Sequence, residues 1–325
     1  MKGLTREGPC ASIYFVQSIE RIRFQNFRCL KDVTLRLGPL TALVGPNATG
    51  KSTVLRGMEP GFVSNDAREI WQHDTSLELI RTIFMDDHSQ YTTRMSRMKT
   101  LIHEVPPIQK MQAQFDVRLL RSPVLVREEK RLHQDGRNLA NVIATLPRRV
   151  QEQLSLEFCR LVPVFADVDA RPKDSGQHRV VFQDHWQRDL WYEPEDVSDG
   201  SMLMLAFATL QYQDDPPDLL AIEEPEHGLH PYLLRSVIEM LRGLASGSIG
   251  SRKVQIVLAT YSAELLEYLQ PDEVRFLSRQ QDGSVTIEEA PVNDPDWRRV
   301  YDEYQQSLGG LWLSGNLGGV PRSAA

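Results

Sequence analysis

The sequence predicts an α/β fold of the P-loop NTPase class, and three observations predict it. The first is a complete phosphate loop: Gly45, Pro46, Asn47, Ala48, Thr49, Gly50, Lys51, Ser52 and Thr53. The second is an apolar run ending in two acids, from Leu219 to Glu224. The third is the alternation of apolar strand patterns with amphipathic helix patterns in the last third of the chain, which means a largely parallel sheet.

The phosphate loop stands in the context its chemistry needs. Leu40 to Val44 reads as a buried strand before it, and Val54 to Met58 continues as a helix after it. Glycines let the backbone wrap a polyphosphate with its N–H groups, and the helix N-terminus adds a favourable dipole. Lys51 is expected to reach the β- and γ-phosphates, and the Ser52 hydroxyl to ligate Mg²⁺. ATP and Mg²⁺ are therefore the expected cofactors, held by Gly45 to Thr53.

Leu219 to Glu224 has the form of a Walker B strand. Glu223 stands at the position of the metal-linked carboxylate, and Glu224 at that of the base that orients the attacking water. The chemistry needs both, because one acid must hold the metal while another faces the nucleophile. Val197 to Ser201 opens an apolar helix shortly before this strand, where Ser198, Gly200 and Ser201 form a cap and an anion-binding terminus. Thr260, Tyr261 and Ser262 end the next apolar strand, where a side chain can sense the γ-phosphate.

The bulk properties are those of a globular chain. Its 325 residues are 41% hydrophobic and 25% charged, enough for one large α/β domain or two modest ones. Cys10, Cys29 and Cys159 lie far apart with no CxxC spacing, so neither a disulfide framework nor a zinc site is indicated and a reducing cytoplasm is expected. No apolar run approaches the length of a membrane span. Residues 1–17 read as a loose extension. Between Arg94 and Arg149, twelve Lys/Arg face five Asp/Glu, a net +7 that leaves −14 on the rest of a chain whose total is −7. This asymmetry permits a nucleic-acid surface on segment 94–149; a solvated helical face or an internal partner for the acidic half explains it equally well.

Along the chain, strands are expected over Ile19 to Phe27, Asp32 to Leu37 and Asp218 to Ile222, and again over Val254 to Ala259. Further strands are suggested near Leu77 to Phe84 and Gln114 to Leu120. Helical spacing marks Asn138 to Ile143, Val150 to Leu161, Ser201 to Tyr212, Tyr232 to Leu244 and Glu264 to Leu269. Val180 to Phe182 and Leu190 to Tyr192 read as a hairpin. Asp167 to Asp169 is read as a loop, and the histidines His185, His227 and His230 lack metal-ligand spacing.

Taken in order, these motifs resemble the ABC-type ATPase heads of the SMC/RecF/OLD group. Ser198 to Ser201 resembles their signature motif, Glu226 to Pro231 their D-loop, and Thr260 to Ser262 their switch-histidine segment. Leu132, His133, Asp135, Gly136, Asn138 and Leu139, with a tail from Leu308 to Gly319, resemble the bacterial AAA_21-type "predicted ATPase" branch. The resemblance implies an ABC-type head with a mixed or parallel sheet, built from residues 18–58 and 196–325. Residues 59–195 would form an inserted α+β lid, about 140 residues and too short for a long paired coiled coil. It implies a homodimer on ATP binding, each phosphate loop closed by the partner's signature. Members of this group carry His where this chain has Tyr261, whose phenol, with a pKa near 10, cannot mimic an imidazole. Turnover is therefore expected to be slow. Glu223 in place of Asp lengthens the reach to Mg²⁺. The resemblance also implies a Gln-loop residue, whose position the sequence leaves open. Two functions are compatible with these features: an ATPase of DNA maintenance or phage defence, and an ATP-dependent sensor controlling a separately encoded effector.

Overall fold

The computed structural model describes residues 18–62, 66–96, 100–102, 104–173 and 176–315. The expected extension 1–17 and residues 316–319 of the expected tail lie outside the described residues. In chain order the strands are β1 (Ile19–Phe27), β2 (Leu30–Arg36), β3 (Leu40–Val44), β4 (Leu79–Met85), β5 (Gln90–Met95), β6 (Thr100–Ile102), β7 (Lys110–Ala113), β8 (Val124–Leu125), β9 (Phe165–Lys173), β10 (Gln177–Asp184), β11 (Trp191–Tyr192), β12 (Leu219–Glu223), β13 (Gln255–Thr260), β14 (Val274–Arg279) and β15 (Val285–Glu289). The helices are α1 (Lys51–Gly57), α2 (Val117–Arg121), α3 (Leu139–Thr145), α4 (Arg148–Leu161), α5 (Asp199–Thr209), α6 (Pro231–Ser246), α7 (Ala263–Leu266), α8 (Pro295–Glu303) and α9 (Leu308–Leu313).

The central sheet runs β15-β14-β3-β13-β12-β7 and is parallel except for β15, which pairs antiparallel with β14. Its inner strands are apolar at almost every position because both faces are covered. Successive side chains enter different cores, as a pleated strand requires. Ala42, Val44, Leu220, Ile222, Ile256 and Leu258 join the core under α5 and α6. Leu43, Leu219, Ala221, Val257 and Ala259 join the core shared with α1 and the second sheet.

That second sheet is antiparallel, in the order β2-β1-β4-β5-β6. Phe24 and Phe27 of β1 share its core with Val54, Leu55 and Met58. Helix α1 lies so close that a Cβ on Gly57 would sit 2.6 Å from the Phe24 ring, so the helix needs glycine there. A third sheet, β11-β10-β8 with β9 also on β10, carries Phe165 and Phe182, which pack with Phe158 of α4.

The antiparallel pairing of β10 with β11 is the expected hairpin. Three features differ from expectation. No strand covers Gln114 to Leu120: β7 ends at Ala113, and the Asp116 carboxylate accepts the Arg118 N–H (2.9 Å) to cap α2. Asp167 and Asp169 lie in β9, not in a loop, opposite Gln183 and Val181 of β10. Residues 59–195 also contribute to the head's own sheets, since β4 pairs with β1 and β7 pairs with β12. Helix α9 of the expected tail packs against α7. The Glu267 carboxylate there accepts the Gly309 N–H (3.0 Å), and a Cβ on Gly309 would lie 2.2 Å from the Ala263 carbonyl.

Candidate nucleotide site

Parallel register brings four strand ends to one level: Val44 lies opposite Thr260, Ala259 opposite Glu223, and Ile222 opposite Ala113. The segments leaving these ends are the phosphate loop, Glu224, Tyr261 and Gln114. In open α/β sheets the carboxyl edge is where ligands bind.

The loop is closed on itself. Ala48 and Gly50 take positive φ (64° and 93°), and the Thr49 hydroxyl donates to the Pro46 carbonyl at 2.8 Å. Gly45 has no room for a side chain, because a Cβ would meet the Leu277 carbonyl at 2.7 Å. Lys51 Nζ folds back onto the carbonyls of Gly45 (2.6 Å) and Pro46 (2.9 Å). Burial lowers the pKa of this ammonium, while the carboxylates of Glu224, Glu223 and Glu226 pull it back up. Arg279, at the end of β14, donates to the Ala48 carbonyl at 2.8 Å.

The Ser52 hydroxyl donates to Glu223 Oε1. The two groups expected on one metal thus touch, and a hydroxyl with a carboxylate is the hard-oxygen set that suits Mg²⁺ completed by phosphate oxygens and water. Among the described residues, no group of three or more His, Cys, Asp or Glu is placed to hold a metal ion. Glu224 turns away from the strand with φ 49°, and its N–H donates to the Ala259 carbonyl at 2.8 Å. A non-glycine residue in this region costs roughly 1–2 kcal/mol, so the turn is held by its surroundings. Glu226 Oε1 accepts the Thr260 hydroxyl at 2.6 Å, and its Oε2 is buried without a partner. Burial raises this carboxyl's pKa against the opposing hydrogen bond from Thr260.

A cavity of about 310 Å³ is lined by Asn47, Ala48, Gly50, Lys51, Ser52, Thr53, Glu223 and Glu224, with Cys29 and Arg279. A second cavity, about 440 Å³, shares Glu223 and Glu224 and adds Gln114, Phe115 and His227. A third, about 460 Å³, shares Cys29 and Arg279 and adds Arg28, Trp71 and His73. Ser198, Gly200, Ser201 and Tyr261 do not line the phosphate-loop cavity. Ser198 caps α5, its Oγ accepting the Ser201 N–H (3.2 Å), and Gly200 packs close to the Gly228 carbonyl. Arg121 holds this start of α5 through the carbonyls of Pro194 (3.0 Å) and Val197 (2.6 Å) and the Asp199 carboxylate (2.6 Å). Tyr261 is 42% exposed.

Gln114 and Arg279 were not anticipated. Their common signal is position, each at the carboxyl end of a strand beside a motif strand, and it appears only once the strand order is known. Most of the described cations of segment 94–149 are already matched by acids. Arg94, Lys110, Arg118, Arg121, Arg131, Arg137 and Arg148 each pair with a carboxylate, and Lys130 pairs with Glu128.

Two family models match. One, described as "AAA domain, putative AbiEii toxin, Type IV TA system" (AAA_21), covers residues 107–267; the other, "AAA ATPase domain" (AAA_15), covers 18–78. Together they contain the phosphate loop, the acid-ended strand and the signature segment. Both matches are to ATPase domains and are consistent with an SMC/RecF/OLD-like ATPase. A curated relative, "OLD nuclease" of Thermus scotoductus, is 56% identical over 41 residues, which is 13% of this chain and 8% of that protein. The chain thus matches only a small part of that relative.

The fold of this ATPase also matches solved SMC heads. A Pyrococcus furiosus SMC head with an extended coiled coil, bound to the C-terminal domain of ScpA, matches with a TM-score of 0.59 at 12% identity, over 89% of this chain and 100% of that one. The Thermotoga maritima SMC head domain matches with a TM-score of 0.53 at 13% identity, over 83% and 98%. At these identities the likeness shows the fold alone. No helix among the described residues is long and apolar enough to cross a membrane.

Proposed function

We propose that the chain binds Mg·ATP on Gly45 to Thr53, with Ser52 and Glu223 as metal ligands, and hydrolyses it with Glu224 as base. ATP joins two copies head to tail, so that Ser198, Gly200 and Ser201 of one close over the γ-phosphate held by the other. The Ser52–Glu223 contact beside Glu224 is the observation that carries this reading. On this reading the γ-phosphate end of the nucleotide faces Glu224, and the nucleoside end faces Cys29 and Arg279.

Lys51 exchanges the carbonyls of Gly45 and Pro46 for phosphate oxygens, which suit an ammonium better. Glu224 takes the proton of the attacking water, and Gln114, across the shared cavity, helps to orient that water. The bound Mg²⁺ would supply charge neutralisation at the β- and γ-oxygens. Tyr261, a phenol in place of an imidazole, keeps turnover slow.

The working context we favour is DNA maintenance or anti-phage defence, in line with a relative named as a nuclease. A second reading is an ATP-dependent sensor with a separately encoded effector. The ion pairs that occupy the basic segment favour it.

Solution mass and ATPase rate, for wild type and Glu224→Gln with and without ATP and duplex DNA, test these readings. Glu224→Gln should bind ATP normally, lose about 10²–10³ in kcat and persist as a dimer. Parental turnover in that variant would remove Glu224 from the chemistry. DNA stimulation of the wild type favours the first context. Indifference to DNA, with a stable complex formed by a co-purifying protein, favours the second.

A further inference from the structure

The segment Leu132 to Leu139, recognised in the sequence but given no role by the nucleotide site, lies against the loop that carries Gln114. The pairing of β7 with β12 ends at Ala113, so from Gln114 onward the backbone has lost its sheet partner and needs another. The turn supplies it: the Gln114 N–H donates to the Gln134 carbonyl (2.8 Å) and the Asp116 N–H to the Asp135 carbonyl (3.1 Å).

The turn is itself built around one side chain. Asn138 is 1% exposed. Its Oδ1 accepts the His133 N–H at 2.8 Å, and its Nδ2 donates to the Arg131 carbonyl (2.9 Å) and to Glu129 (3.3 Å). Gly136 closes the turn with φ 77°, at a point where a side chain would meet Leu120 of α2 at 2.5 Å. Arg131 ties the outer end to Gln109 (2.7 Å) and Asp215 (3.0 Å), just before β7 and just before β12. The turn is thus anchored to both strands that deliver Gln114 and the Glu223–Glu224 pair.

We propose that His133 to Asn138 is a bracket that sets Gln114 opposite Glu223 and Glu224, with Asn138 as its positioning residue. The proposal rests on the hydrolytic reading of that site. Asn138 touches neither nucleotide nor metal and acts only through Gln114. Its loss should therefore lower kcat while leaving nucleotide affinity intact, because the phosphate loop lies on separate elements.

The test compares Gln114→Ala, Asn138→Ala and the double variant by steady-state ATPase, with Arg131→Ala as a milder surface-end variant. Each of the Gln114 and Asn138 substitutions should lower kcat about 10- to 100-fold with KM within about twofold, and the double variant should be no worse than Gln114→Ala alone. Hydrogen exchange on the same proteins should show the Gln114 and Asp116 amides deprotected in Asn138→Ala and partly so in Arg131→Ala, with residues 43–55 unchanged. Additive losses, or a raised KM, would make Asn138 a plain stability residue and overturn the bracket. So would full protection of the two amides in the Asn138 and Arg131 variants, whatever the ATPase rate. If Gln114→Ala turns over normally while Glu224→Gln does not, the hydrolytic reading stands and the bracket falls.

Discussion

The phosphate-loop half and the signature half of this ATPase are built in opposite ways. Gly45 to Thr53 is a finished cradle: its lysine is bonded at two points, its serine meets Glu223, and its glycines sit where side chains cannot. Ser198 to Ser201 is only a well-capped helix start, spending its serine on its own N–H and lining no part of the phosphate cavity. One half is arranged for a ligand within the chain. The other is arranged by the chain for its own helix. Under the proposed head-to-tail pairing, each copy would keep one half rigid and present the other.

The largest effect should come from breaking the finished half. Lys51→Ala removes the ammonium that bridges the Gly45 and Pro46 carbonyls. Nucleotide affinity should fall by at least about 100-fold, which titration calorimetry will read. Near-parental affinity in this variant would mean that the cradle binds through backbone N–H groups alone, and the contrast between the halves would weaken. The same lysine leaves a pH signature. Its folded pKa lies below the unfolded value, so the folded state binds fewer protons between the two and stability rises with pH through that window. Lys51→Ala should lose that alkaline rise.

A smaller effect should come from the signature half. Arg121 fixes the start of α5 through Pro194, Val197 and Asp199, yet it touches no part of the phosphate-loop cavity. Arg121→Ala should therefore leave ATP affinity within about twofold, while weakening the ATP-dependent dimer about tenfold. That corresponds to one charge-assisted hydrogen bond of about 1.4 kcal/mol. Sedimentation in the Glu224→Gln background measures it. An equal loss of nucleotide affinity would show that the two halves are not separable.

What could be read from the sequence follows the same division. The phosphate loop and the acid-ended β12 carry their chemistry in local order, so strand, loop and helix were each predictable from residue type and spacing. The parallel sheet followed from apolar runs buried on both faces. Gln114 was not readable, because β7 has only four residues and Lys110 to Ala113 shows no decisive pattern. Nor was the Asp116 cap, which turned an expected strand into α2. The pairing of β4 with β1 depends on contacts remote in sequence, which periodicity cannot report. The ion pairs that occupy the basic segment were hidden for the same reason: their partners include Glu59, Asp199 and Asp215, far along the chain.

The smallest effect should appear where the halves meet. Glu226 links the turn after β12 to β13 through Thr260, with one carboxylate oxygen buried and unpartnered. Its folded pKa is raised above the ordinary value of 4.5, so its favourable contribution is present below that value and is lost as pH rises through the folded pKa. Glu226→Gln keeps an oxygen to accept the Thr260 hydroxyl and removes the charge. Relative to wild type it should gain thermal stability as pH rises above 4.5, by a few degrees in Tm at neutral pH, with ATP affinity unchanged. A gain that does not vary with pH would mean that the amide acts through packing and not through the buried charge. A lowered Tm at neutral pH would mean that the ionised carboxylate has a partner here that outweighs the cost of burying it, and the link between Glu226 and Thr260 would then be electrostatic in origin.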